Sequence, residues 1–217
     1  MLYKYNTLKI IVILFLCFGL KNANATCDVY HSQPIINTKI DYGKIHYDNT
    51  KSNSQFPSKP YASTMGLTVS DLKEDMNADI NIIPQADGSF CVTLKQVNTY
   101  IGFPRIDVYI DKKYKPGSCN YNIIKAHENY HVRVQQEGLQ FFETKIKQAI
   151  RIAAGKIKAE RVYSTDQANS VAATMLSRIQ NDIKPTMDFI KKRLVEENMV
   201  IDTPESYAAE TKKCKKW

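Results

Sequence analysis

His127-Glu128-Asn129-Tyr130-His131 has the spacing and residue types of metal-assisted hydrolysis. On a helix, residues four apart stand one turn apart on one face, so the two imidazoles can grip one Zn²⁺ while Glu128 beside them takes a proton from an attacking water. A catalytic zinc needs a third protein ligand and one open position. The motif is therefore incomplete as it stands, and the rest of the chain has to supply the missing donor.

The local options for that donor fit poorly. In the extended pattern HExxHxxGxxH the third histidine would fall at 137, but this chain has Val134 in place of the glycine and Glu137 in place of the histidine. If the helix simply continues, Glu137 lies about 9 Å further along the axis and on another face. A glutamate about twenty residues after the second histidine is the other common arrangement. That position is Arg151 here, with Glu143 and Glu160 the nearest acids. A third option is Glu205, in the segment from Ile201 to Trp217: if Cys214 bonds to Cys119 or Cys91, that segment is pinned near the start of the motif helix. A helix starting after Thr203-Pro204 would be the structural explanation of the same glutamate. His31 and His46 each sit alone in polar stretches and read as surface residues.

The elements that must position these groups fall into two textures. Residues 26 to 118 are mainly β. Ile40, Tyr42, Ile45 and Tyr47 around Gly43 suggest one or two strands, Gly66 to Asn81 a short helix or strand edge, and Asp87-Gly88 a turn. Cys91 to Val97 and Ile106 to Ile110, separated by Gly102 and Pro104, read as paired strands from their β-branched and aromatic content. Residues 119 to 199 are helical. Apolar residues at 123, 126, 130 and 134 form a stripe with the histidines at its margin. Phe141 to Ala159 and Asp166 to Lys184, broken near Tyr163-Ser164-Thr165, predict a long helical hairpin after the active-site helix, with Pro185 kinking or restarting its second arm. Residues 200 to 217 return to the body. The expected class is α+β, with a small antiparallel sheet in the N-terminal half.

Residues 1 to 25 have the parts of a cleavable signal peptide: Lys4 and Lys9, an apolar run from Ile10 to Leu20, and Ala23-Asn24-Ala25. The apolar run is too short to span a bilayer comfortably. Removal after Ala25 leaves one domain, 26 to 217, with no transmembrane anchor, in a periplasm or outside the cell. Four cysteines remain, Cys27, Cys91, Cys119 and Cys214, an even number that in an oxidising compartment predicts two disulfides with three possible pairings. No CxxC spacing competes for metal. The chain carries a net charge of +8, three units of which leave with Lys4, Lys9 and Lys21. The remaining lysines are spread over the helical half as a solvated surface, so no nucleic-acid partner is expected.

Cys91-Val92-Thr93-Leu94, Val108-Tyr109-Ile110-Asp111, Gly117-Ser118-Cys119-Asn120-Tyr121 and His127 to Val132 together resemble the zincin class of metallopeptidases. More narrowly, they resemble uncharacterised secreted bacterial proteins with a helix-borne HExxH. The resemblance covers roughly residues 66 to 140. It implies a strand bordering the substrate cleft just before the active-site helix, a role that Val108 to Lys112 fits if its backbone groups are free to add an extended peptide. The hairpin lies outside the shared pattern, as a cap or a docking surface. The function expected is a secreted zinc-dependent metallopeptidase acting on peptides or proteins, with metal ligands His127, His131 and Glu205 and with Glu128 as general base. The competing readings are a non-catalytic module whose hairpin binds a partner, and a zinc amide hydrolase acting on cell-wall peptides.

Overall fold

The computed structural model describes residue 27, residues 33–57 and residues 65–217. The signal-peptide segment and His31 lie outside the described residues. Among the described residues, seven strands and three α-helices follow one another as β1 (Ile35–Asp41), β2 (Lys44–Asp48), β3 (Gly66–Ser70), β4 (Lys73–Pro84), β5 (Phe90–Gly102), β6 (Arg105–Ile110), α1 (Cys119–Gly155), β7 (Glu160–Val162), α2 (Thr165–Met199) and α3 (Pro204–Thr211). The α+β class holds, with the strands ahead of the long helices except for the short β7.

The strands form two sheets, one ordered β1-β5-β4 with β7 beside β5, the other β2-β6-β3. Both are mixed: β1 and β2 run parallel to β5 and β6, while β4 and β3 run antiparallel to them. The two segments expected to pair with each other, Cys91 to Val97 and Ile106 to Ile110, therefore lie in different sheets. The reason is local. Between β5 and β6 the chain does not reverse; it passes from one sheet to the next through Phe103 and Pro104, and Pro104 has no N–H with which to extend the ladder. Beside it the β1–β2 connection makes the same crossing at Gly43, whose φ of +84° favours glycine and where a Cβ would meet the Phe103 carbonyl at 2.9 Å. Residues 66 to 81, left open between helix and strand, form β3 and the first part of β4.

The outer face of the first sheet is polar, with Asn37 donating to Asn98 (2.9 Å) and Asn98 to Asn77 (3.0 Å) across three strands. Its inner face carries Val97 and Ile101 and is covered by the two long helices. On α2, Met175, Ile179, Ile183, Met187, Ile190 and Leu194 are buried at intervals of three and four, the stripe of a helix packed along one side. The hairpin thus forms the main core, and it begins earlier than the sequence suggests. α1 runs unbroken for 37 residues, about 55 Å, so the active-site helix is itself the hairpin's first arm. Gly138 lies inside it. The residue is small because α2 crosses there: a Cβ would lie 2.5 Å from Leu194 Cδ2. Pro185 sits on the exposed side of α2, which continues through it.

α1 starts with Ser118 as N-cap, its hydroxyl accepting from the Tyr121 N–H. Its first third packs on the second sheet through Ile124, beneath which Ile110 and Tyr114 form a smaller core. The face buried there is 124, 127, 128 and 132. The expected stripe at 123, 126, 130 and 134 is only half covered, with Ala126 exposed, because the sheet takes the motif side of the helix. Two disulfides tie the ends in, Cys27–Cys91 and Cys119–Cys214. Both suit an oxidising compartment. Among the described residues no helix is long and apolar enough to cross a membrane.

Candidate metal centre

The second bond sets the site. Cys119 opens α1 and Cys214 lies just beyond α3, so the C-terminal segment is drawn back across the helix that carries the motif. His127 is buried and His131 nearly so, and both rings point at the carboxylate of Asp202 in the link between α2 and α3. His127 Nε2 lies 3.1 Å from Asp202 Oδ1, His131 Nε2 lies 3.3 Å from the same oxygen, and the two Nε2 atoms are 3.3 Å apart.

That triangle tests whether zinc fits. Tetrahedral zinc with bonds of about 2.0–2.1 Å spaces its donors about 3.3–3.4 Å apart, close to the 3.1, 3.3 and 3.3 Å found. The tautomers agree. His127 Nδ1 is 3.2 Å from Glu210 Oε1, an acceptor, so with a metal on Nε2 the Nδ1 hydrogen has a partner. His131 Nδ1 is 2.9 Å from Asn198 Oδ1. The Asn198 amide is oriented by donating its Nδ2 to the Leu194 carbonyl at 2.7 Å, so the oxygen faces the ring. Two imidazole nitrogens and a carboxylate converging on one point need a proton or a metal cation between them. The cluster is geometrically suited to hold a zinc ion, and it has the His/His/Asp composition of an HExxH-type peptidase centre.

In the absence of a metal, protons serve the same convergence. Burial works to lower the pKa of both histidines, but the hydrogen bond to Asp202, with Glu210 acting on His127, Asn198 on His131 and the charge of Glu128 on both, outweighs it and holds both above the usual value. Burial opposes the charge of Asp202, yet bonds from His127, His131 and the Tyr207 hydroxyl (2.7 Å) keep its carboxyl well below the carboxylate range. The Tyr207 ring also stacks on His127, with centroids 5.0 Å apart. Burial of the phenol, then its bond to Asp202, pushes its pKa up, so it stays a donor at neutral pH.

Glu128 lies on the wall shared by α1 and β3. Burial raises its pKa; the Thr68 hydroxyl donating to Oε2 (2.8 Å) and the two imidazoles pull the other way without cancelling it. Gly66 lets β3 come this close, since a Cβ there would meet Glu128 Oε1 at 2.5 Å and Ile124 Cγ2 at 2.6 Å. β3 is an edge strand, and among the described residues nothing pairs with its outer side. The cleft strand expected at Val108 to Lys112 is instead β6, flanked on both sides by β2 and β3, so its backbone groups are taken. β3 itself borders the cleft, a cavity of about 480 Å³ walled by Gly66–Ser70, Glu128, His131, Val195, Met199 and Tyr207.

Of the residues singled out in the sequence, His127, Glu128 and His131 come together. Glu205 is exposed in the first turn of α3 and is not among the converging donors, because the turn capped by Thr203 carries it outward. Glu137 is exposed on α1, Glu143 accepts from Tyr42 and Lys147, and Glu160 pairs with Arg178. His46 is on the surface beside Asp107 and Arg105. Asp202, Asn198, Tyr207 and Glu210 were missed. The one signal toward them was Cys214, which required the C-terminal segment to return. No family model matches this chain, and neither a curated protein nor a solved structure matches it.

Proposed function

We propose that the protein is an exported zinc-dependent peptidase in which His127, His131 and Asp202 hold the metal and Glu128 is the general base. In this reading Asp202 takes the place first assigned to Glu205. Residues 1–25 are removed on export, and residues 26–217 work as one domain. The observation that carries the proposal is the donor triangle with both Nδ1 atoms engaged by acceptors, beside a buried carboxylate not needed as a ligand.

Zinc bound there supplies a lowered water pKa and Lewis-acid polarisation of the scissile carbonyl. The chain does the rest. An extended peptide pairs with the free edge of β3, which runs past Glu128 and presents the scissile bond to the triangle. Glu128, its pKa raised by burial, accepts a proton from the attacking water and returns it to the leaving amine. Thr68 holds the carboxylate by Oε2, leaving Oε1 for the water. Glu210 and Asn198 fix the ring planes, and Tyr207 orients Asp202.

Zinc content of residues 26–217, measured beside His127→Ala and His131→Ala variants, is the first test; one zinc per chain, lost in both variants, is expected. Glu128→Gln should then keep zinc and fold while losing about 10²–10⁴-fold in hydrolysis of a peptide library. Undiminished hydrolysis by Glu128→Gln refutes the role of the base, and absence of zinc after reconstitution refutes the enzyme.

A further inference from the structure

We infer that the Cys119–Cys214 disulfide is a redox latch on the metal site, so that full metal affinity exists only while this bond is closed. The inference rests on the zinc reading above and adds its regulation.

α3 carries Tyr207 and Glu210 to His127, yet none of its eight residues is buried. In the whole stretch from Ile201 to Trp217 the one buried residue is Cys214 itself. Apart from the Tyr207 and Glu210 contacts at the site itself, the remaining anchors are polar or peripheral: Asn120 donates to the Lys216 carbonyl at 2.7 Å, and the Trp217 ring meets Tyr114 edge-on with centroids 6.0 Å apart. Such exposed contacts hold a tail weakly against its conformational entropy. The covalent bond is thus what keeps α3 over the site. Opening it has a graded effect. His127 and His131 belong to α1, and Asp202 follows α2 so closely that it stays near them. Glu210 and Tyr207, further along, are released.

The two disulfides differ in access. Cys214 and Cys27 are alike at 8 % exposed, but Cys119 is exposed whereas Cys91 is fully buried. Thiol–disulfide exchange needs an approach to sulfur, so a reductant meets the latch first. The chemistry balances with a dithiol: its two thiols close to a disulfide, and their two electrons and two protons leave Cys119 and Cys214 as free thiols.

The test uses the folded chain, oxidised or treated with a trialkylphosphine, which does not compete for zinc as a dithiol does. The phosphine becomes its oxide with oxygen from water, and the disulfide takes up two electrons and two protons. The thiols are then capped with iodoacetamide and located by peptide mapping. Zinc affinity is read by competition with a chromophoric chelator, and amide hydrogen exchange is followed across 204–211. A Cys119→Ser, Cys214→Ser chain provides the open form without any reductant. Capping at 119 and 214 ahead of 27 and 91 is expected, with zinc bound about 10–100-fold more weakly, the loss typical of removing an outer-shell partner, and with protection lost over 204–211. Unchanged affinity and protection in the capped chain and in the double variant overturn the latch while leaving the zinc site standing. Prior reduction of Cys27–Cys91 overturns the ordering on which the latch depends. No zinc in the oxidised chain overturns the metal reading itself, and the latch with it.

Discussion

Gly66→Ala isolates the part of the site that depends on how closely a strand approaches a helix. The new methyl carbon would lie 2.5 Å from Glu128 Oε1, 2.6 Å from Ile124 Cγ2 and 2.9 Å from Glu128 Cγ, where ordinary contact begins at 3.4 Å. Between 0.5 and 0.9 Å of separation must therefore be found, by differences of those distances. β3 cannot retreat freely, being laddered to β6 from Gly66 to Ser70, and Ile124 is held in the smaller core. Overpacking of this kind costs about 1–3 kcal/mol, or roughly 2–12 °C in Tm for a chain of this length. Glu128 gives way first, and displacing a catalytic group by about 1 Å costs about 10²-fold in turnover. The three metal donors are not touched, so zinc stoichiometry should hold. The assay is a thermal melt, a zinc determination and kcat on one peptide substrate. Wild-type Tm and kcat would show that the approach of β3 is not what positions the base, and loss of zinc would show that the strand supports the donors rather than Glu128.

Other outcomes follow from the same geometry. Asp202→Asn should weaken zinc binding at least tenfold, as loss of an anionic ligand demands, while Glu205→Ala should leave it unchanged in chelator competition; the reverse pattern would return the third position to Glu205. Thr68→Val removes a bond that favours the charged form of Glu128, so its pKa rises further and the acid limb of kcat/KM moves to higher pH; a stationary limb would exclude Glu128 as the group titrating there. Both histidines are held above their usual pKa, so protons compete with metal over a range reaching above 6.5. Zinc affinity should accordingly climb with pH through that range and then level off, and a flat profile would deny that these rings are ligands.

The sequence shows the half of the site that is local. Two histidines and a glutamate within one turn announce themselves because helical periodicity alone brings them together. The helical character of residues 119 to 199 was legible from the same periodicity, although the boundary was not, since α1 runs on through Gly138, where Leu194 presses against it. Asp202 was not legible. It stands 75 residues from His127, and its approach depends on the length of the hairpin and on which cysteine Cys214 finds. Cys214 points to the right segment but not to the right carboxylate, because only the capped first turn of α3 decides that Glu205 faces out. Sheet pairing was hidden for a similar reason. Nothing within β5 or β6 says that each takes a parallel neighbour from the first fifty residues.

The separation of the donors along the chain also orders events in time. A polypeptide leaves the ribosome, or an export channel, from its N-terminus onward, and domains consolidate in that order. The two histidines emerge while α2 has yet to be made, and their carboxylate partner arrives only after α2 is complete. A partly made or truncated chain can therefore hold zinc with two ligands at most. In the zinc reading, the site is completed only once the segment that follows α2 has been made.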